Sequence, residues 1–165
     1  AWLLAAWLYQ AEPLRAVLYS LLFSLLTVVA LIDWRTFEIP NGLNLAIFLL
    51  GAVQLAGDTA HWKTYLIGMF SVSLLFLLLW FVTKGNGLGM GDVKLMGAAG
   101  LLLGWQRILL AMILGSVSGA IIHSVRMKRG APRKLAFGPY LAAGIWVAAL
   151  WGDRLIAAYL GLFGL

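Results

Sequence analysis

Six acidic residues are spread over this 165-residue chain: Glu12, Asp33, Glu38, Asp58, Asp92 and Asp153. Two of them stand where acids are rare. Asp33 directly follows an unbroken apolar stretch, residues 16–32, and Asp92 directly precedes another, residues 93–103. Ionisable groups at membrane depth are costly and are candidates for function on that ground. Two carboxyls brought together from different segments can share one proton and activate a water between them, because close like charges do not both ionise. Spacing by itself does not bring Asp33 and Asp92 together. Glu38 sits in the connection ahead of Pro40 and reads as a solvated charge, and Glu12, Asp58 and Asp153 read as solvated loop charges.

The local settings of the two acids differ. Asp33 lies at the C-terminal end of its apolar segment, where the helix macrodipole disfavours negative charge. Asp92 opens a segment, where it could serve as a helix N-cap. On helix-end grounds alone the charge is better placed on Asp92 than on Asp33. From Asp92 to Trp105 is about 14 residues, or roughly 21 Å of helix, against about 30 Å of hydrocarbon. With Trp105 at one interface, Asp92 therefore lies below the other, a recess allowed only where protein or water covers the backbone. The run from Lys84 to Gly91 contains four glycines and suits such a re-entrant loop.

Other chemistries lack their residues. The chain has no Cys, which excludes disulfides, thiolate zinc sites and cysteine nucleophiles within it. His61 and His123 are far apart with no companion ligands, which argues against a metal centre. No Gly-x-Ser-x-Gly occurs to suggest a serine nucleophile.

The elements that must hold these acids are apolar helices. Hydrophobic residues make up 63% of the chain and charged ones 11%, with mean hydropathy +0.96. A soluble domain runs about 25% charged, so this composition predicts an all-α polytopic membrane protein. Spans are expected near 16–32, 43–56, 64–82, 93–103, 108–125 and 135–151, separated by breaks that carry Gly, Pro or charge. Residues 1–9 rise only about 13–14 Å as a helix, too little to cross. The expectation is six transmembrane helices plus a truncated N-terminal helix, forming one domain over residues 1–165. No basic region precedes the apolar start, so a secretory signal is not expected. Asp153 and Arg154 favour a tail, 155–165, that leaves the last span and lies along the surface.

Alternating these spans places eight of the twelve Lys and Arg on one side, among them Arg35, Lys84, Lys94 and the cluster at 126–134. The richer side is expected to be cytoplasmic, and it carries Asp33, Glu38 and Asp92. Trp34, Trp62, Trp105 and Trp151 fall at span ends, as interfacial anchors do. The net charge of +6 then reads as a topology signal, with lipid head groups as its partners, and nucleic acid is not expected. No residue pattern specifies an oligomeric state.

The sequence around both acids resembles the bacterial type IV prepilin peptidases, membrane aspartic proteases of the Gly-x-Gly-Asp class. Ile32-Asp33-Trp34-Arg35-Thr36-Phe37-Glu38-Ile39-Pro40-Asn41 is similar to their first signature, an Ile-Asp followed by a connector and Ile-Pro-Asn. Gly89-Met90-Gly91-Asp92-Val93-Lys94-Leu95-Met96 resembles the second, and Phe137-Gly138-Pro139-Tyr140 a third, non-catalytic block. The resemblance implies that Asp33 and Asp92 are the catalytic pair, with Pro40, Asn41, Gly89, Gly91 and Lys94 as supporting motif residues. It implies cleavage of a short basic leader from type IV prepilins or pseudopilins at the cytoplasmic face of the bacterial inner membrane, without a cofactor. Many members also N-methylate the new terminus, which would bring in S-adenosylmethionine, and carry a cytosolic four-Cys zinc domain; no such segment occurs in these residues. The alternative from another class is a small transporter or non-catalytic assembly subunit, in which buried carboxylates move protons or ions. The clustering of both acids at one face, and the lack of paired halves, weigh against it.

Overall fold

A computed structural model describes residues 2–85, 87–128, 135–162 and 164. Arg129, Arg133 and Lys134 of the basic cluster, and Asn86 of the glycine-rich run, lie outside the described residues. The described chain is all-helical: α1 (Trp2–Leu8), α2 (Pro13–Thr36), α3 (Asn41–Gly57), a 3-10 turn (Thr59–His61), α4 (Trp62–Thr83), α5 (Met90–Leu103), α6 (Trp105–Lys128) and α7 (Gly138–Leu162).

Local sequence explains where these helices start and stop. Proline opens α2 at Pro13, where its missing N–H is no loss. Phe37 ends α2 in the left-handed region (φ 57°), and its amide donates to the Asp33 carbonyl at 2.8 Å. The end of α4 is a Schellman motif: Gly85 N–H reaches the Trp80 carbonyl and Lys84 N–H the Phe81 carbonyl. A single residue, Gly104, joins α5 to α6. Its φ of +84° is one that other residues rarely adopt.

Four segments are long and apolar enough to cross a membrane: Pro13–Thr36, Thr59–Thr83, Trp105–Lys128 and Gly138–Leu162. The protein is a membrane protein on that evidence. The other two expected spans are shorter, with 17 residues in α3 and 14 in α5. Helix α5 is the centre of the bundle, packed by α3, α4, α6 and α7. Every residue from Leu95 to Leu103 is buried, so its roughly 21 Å need not match the bilayer. Asp92, in its first turn, is enclosed by protein as well.

Helices crowd where side chains are small, as they do when lipid offers no hydrophobic drive for association. A Cβ on Gly100 of α5 would stand 2.2 Å from the Gly68 carbonyl oxygen of α4. One on Gly144 of α7 would stand 2.3 Å from the Ala111 carbonyl oxygen of α6. The faces turned away from the bundle expose Leu31, Leu45, Leu74, Ile113 and Val117, the surface that lipid would cover.

Three expectations need correction. Helix α5 begins at Met90, so Asp92 is its third residue and not its N-cap; Gly89 holds that position. The tail does not leave the last helix, because α7 runs unbroken to Leu162. Asp153 does not interrupt it, since Arg107 of α6 holds both its carboxylate oxygens. Nor are the outer acids merely solvated. Glu12 pairs with Arg15 at 2.6 Å, and Asp58 accepts from Tyr65 at 2.7 Å and contacts His61 Nδ1 at 2.9 Å. These groups converge on one end of the bundle around a cavity of about 240 Å³, lined among others by Arg15, Tyr19, Asp58, Arg107 and Asp153.

Candidate active site

Both suspect aspartates are buried, at 5% exposure for Asp33 and 7% for Asp92. Asp33 continues the inward stripe of α2, following Leu22, Leu26 and Val29 at spacings of four, three and four residues. Asp92 sits in the first turn of the enclosed helix α5. The two carboxyls lie within electrostatic reach of one another. Residues 59 positions apart in sequence are thus brought to one end of the bundle, opposite the Arg107–Asp153 cluster.

Each carboxyl is oriented by a backbone amide. Asp92 reaches back with Oδ2 to accept from Gly89 N–H at 3.1 Å, the carboxylate half of a capping box. Its other oxygen, Oδ1, is buried and takes no hydrogen bond from the described protein. Asp33 accepts at Oδ2 from the Gly138 amide at 2.9 Å. Gly138 opens α7, so a helix N-terminus faces an acid that stands at another helix's C-terminus. An argument from α2 alone therefore mistakes the field at Asp33, because α7 supplies the opposing pole.

The supporting motif residues lock the two acid-bearing segments together. Ile39 packs on Gly91 so closely that a Cβ there would lie 2.9 Å from the Ile39 Cβ. Pro40 starts α3, its carbonyl accepting from Leu43 and Asn44. Asn41 accepts at Oδ1 from Lys94 Nζ at 2.7 Å. Glu38 is exposed, as expected of a solvated charge. The third block proves to be in contact with Asp33 through Gly138. Gly followed by Pro at a helix start was a usable signal, since helix N-termini accept anions.

A largely apolar groove of about 260 Å³ is lined by Phe76, Leu79, Leu88 and Phe137 with Thr83 and Ser116. Leu88 and Phe137 immediately precede Gly89 and Gly138, the two glycines whose amides hold the acids. Among the described residues no group of three or more His, Asp or Glu could hold a metal ion.

The sequence pattern of the type IV leader peptidase family matches residues 20–124, well over half of the chain and inclusive of both acids. The chain belongs to this family. It is 38% identical, over 94% of its length, to a prepilin leader peptidase/N-methyltransferase of Pseudomonas aeruginosa. It is 34% identical, over 92%, to one of Stutzerimonas stutzeri, and 32% identical, over 98%, to one of Pseudomonas putida. The chain spans 55%, 54% and 59% of these three relatives, respectively. No solved structure matches it at a significant level.

Proposed function

We propose that this protein is an aspartic endopeptidase that removes the leader from type IV prepilins or pseudopilins. One observation carries the reading: two buried aspartates from different helices lie within electrostatic reach of each other, and Asp92 keeps one oxygen uncommitted. Family membership supports the same chemistry.

In this reading Asp33 and Asp92 are the catalytic residues and share one proton between them. The ionised carboxyl takes a proton from a water, whose oxygen attacks the scissile carbonyl. The protonated carboxyl donates to the carbonyl oxygen, and the resulting diol collapses as the leaving amine is protonated. The Gly138 and Gly89 amides fix the outward orientation of the two acids, so little rearrangement accompanies the reaction. The apolar groove suits a hydrophobic stretch of substrate beside the scissile bond.

The cluster of basic residues supports an orientation in which this end faces the cytoplasm of the bacterial inner membrane, with six helices traversing and 1–165 acting as one peptidase domain. The relatives' printed names include N-methyltransferase. Among the described residues that line the groove, none offers a charged side chain for the carboxylate and amine of S-adenosylmethionine. Methyl transfer is therefore assigned no residue among those described.

Incubation of the purified chain with a prepilin in detergent tests the reading. Asp33→Asn and Asp92→Asn should each lower cleavage by at least about a thousandfold while leaving the protein folded, whereas Glu38→Gln should keep most activity. Full turnover in either Asn variant removes that residue from the mechanism. Proton flux through reconstituted vesicles without any cleavage would instead favour the transporter.

A further inference from the structure

Asn44 is one of three polar side chains on the largely apolar helix α3, with Asn41 and Gln54, and it is 5% exposed. Its Nδ2 donates to the carbonyl of Gly91 at 3.3 Å, across 47 residues of sequence. Its Oδ1 is buried and accepts nothing from the described protein. The orientation of the amide is settled by its neighbour, because exchanging oxygen for nitrogen would set two acceptors against each other at Gly91. A leucine would fill the same volume without leaving a buried acceptor unpaired, so packing alone does not account for an amide here.

The grip falls at a telling place. Gly91 immediately precedes Asp92, and the Gly91 carbonyl belongs to the first turn of α5. Three contacts join that turn to the segment after Asp33: Ile39 against Gly91, Lys94 on Asn41, and Asn44 on Gly91. Of the two polar contacts, the Lys94 bond is exposed and open to competition from water. The Asn44 bond is the sheltered one. Asp92 spends one oxygen on the Gly89 amide, so the aim of the other follows from how that turn is seated.

We propose that Asn44 is a positioning residue for the cleavage reaction, its side-chain amide holding the Gly91 carbonyl so that the turn presents Asp92 to Asp33 and the substrate. The proposal rests on the aspartic peptidase reading. Asn44 touches neither acid in this role. It acts through the backbone of the residue next to one of them.

The test compares steady-state cleavage by the wild-type chain, Asn44→Leu and Asn44→Asp, with Asp92→Asn alongside. Misplacing a catalytic group by about 1 Å costs on the order of a hundredfold. The expected result is a fall in kcat of about that size in both Asn44 variants with KM changed by less than about threefold. An Asn44 that only packs predicts a lowered melting temperature with kcat per folded molecule unchanged, and that result overturns the proposal. If neither variant folds, side-chain amide hydrogen exchange in the wild-type chain decides. Asn44 Nδ2 hydrogens exchanging as fast as those of exposed Asn41 overturn the proposal, and marked protection supports it. Turnover by Asp92→Asn would remove Asp92 from the mechanism and sink the two-aspartate reading on which the proposal rests, whereas a dead Asp92→Asn beside fully active Asn44 variants would sink the positioning role alone.

Discussion

The backbone amide of Gly138 donates to Asp33 Oδ2 at 2.9 Å, joining residues 105 positions apart. The contact leaves no room for a side chain, since a Cβ on Gly138 would lie 2.9 Å from that oxygen and 3.0 Å from the carboxyl carbon. Gly138→Ala is therefore expected to push Asp33 aside and cut prepilin cleavage by about a hundredfold. Melting should change little, because the rest of α7 stays packed. Wild-type kcat in purified Gly138→Ala would show that the amide does not set the position of the acid.

The ion pair at the other end of the bundle should respond unequally to loss of its two members. Arg107 has 11% of its side chain exposed and Asp153 71%. Removing Asp153 leaves a buried cation with only the Tyr19 hydroxyl and ring, whereas removing Arg107 leaves a carboxylate that water already reaches. Asp153→Ala is expected to destabilise the fold by about 3 kcal/mol, and Arg107→Met by clearly less. Denaturation of both variants in the same detergent checks the order, and the reverse order would contradict it.

The two acids and the Ile-Pro-Asn segment were legible in the sequence because residue type carries their meaning: an acid next to an apolar run is conspicuous wherever it lies. The bundle's two ends were legible too, from alternation of spans and breaks. Which groups Gly138 and Asn44 hold was not legible, since what they offer is an ordinary amide and a common side chain whose partners lie 105 and 47 residues away. The course of α7 past Asp153 was misjudged for the same reason. A charge pair looked like a helix terminator until Arg107, 46 residues earlier, was seen to satisfy it.

Acid should weaken the hold of Tyr65 and His61 on Asp58 in the α3–α4 connection. The Tyr65 hydroxyl, followed by the His61 ring, holds the Asp58 carboxyl below its ordinary value of 3.8. A carboxyl whose pKa is lowered by folding adds stability when ionised. That contribution is full above about pH 4 and fades as the pH falls through the lower folded-state value. Melting temperatures of wild type and Asp58→Asn should therefore differ most near neutrality and converge in acid. A gap that stayed constant down to about pH 2 would contradict the assignment.

Orientation can be read by labelling, because the chain has no native Cys to raise the background. Thr59 belongs to the 3-10 turn beside the Arg15–Asp58 cavity, and Met127 to the last turn of α6. Cysteines placed singly at these positions in intact cells should react with an impermeant reagent at 59 and not at 127. Labelling of both from outside would overturn the assignment of the acid-bearing end to the cytoplasm.

Helix α7 has the geometry of a lever. The close approach of Gly144 to Ala111, where a Cβ would lie 2.3 Å from the Ala111 carbonyl oxygen, would serve as its fulcrum. Gly138 stands six residues to one side of it, roughly 9 Å, and Asp153 nine residues to the other, roughly 13 Å. A tilt that moves the Asp153 end by about 1.5 Å would swing the Gly138 amide by about 1 Å in the opposite direction, given those arms. In such a tilt the salt link at one surface would tether hydrogen-bond geometry at the other, with a mechanical ratio set by where a single glycine falls in the helix.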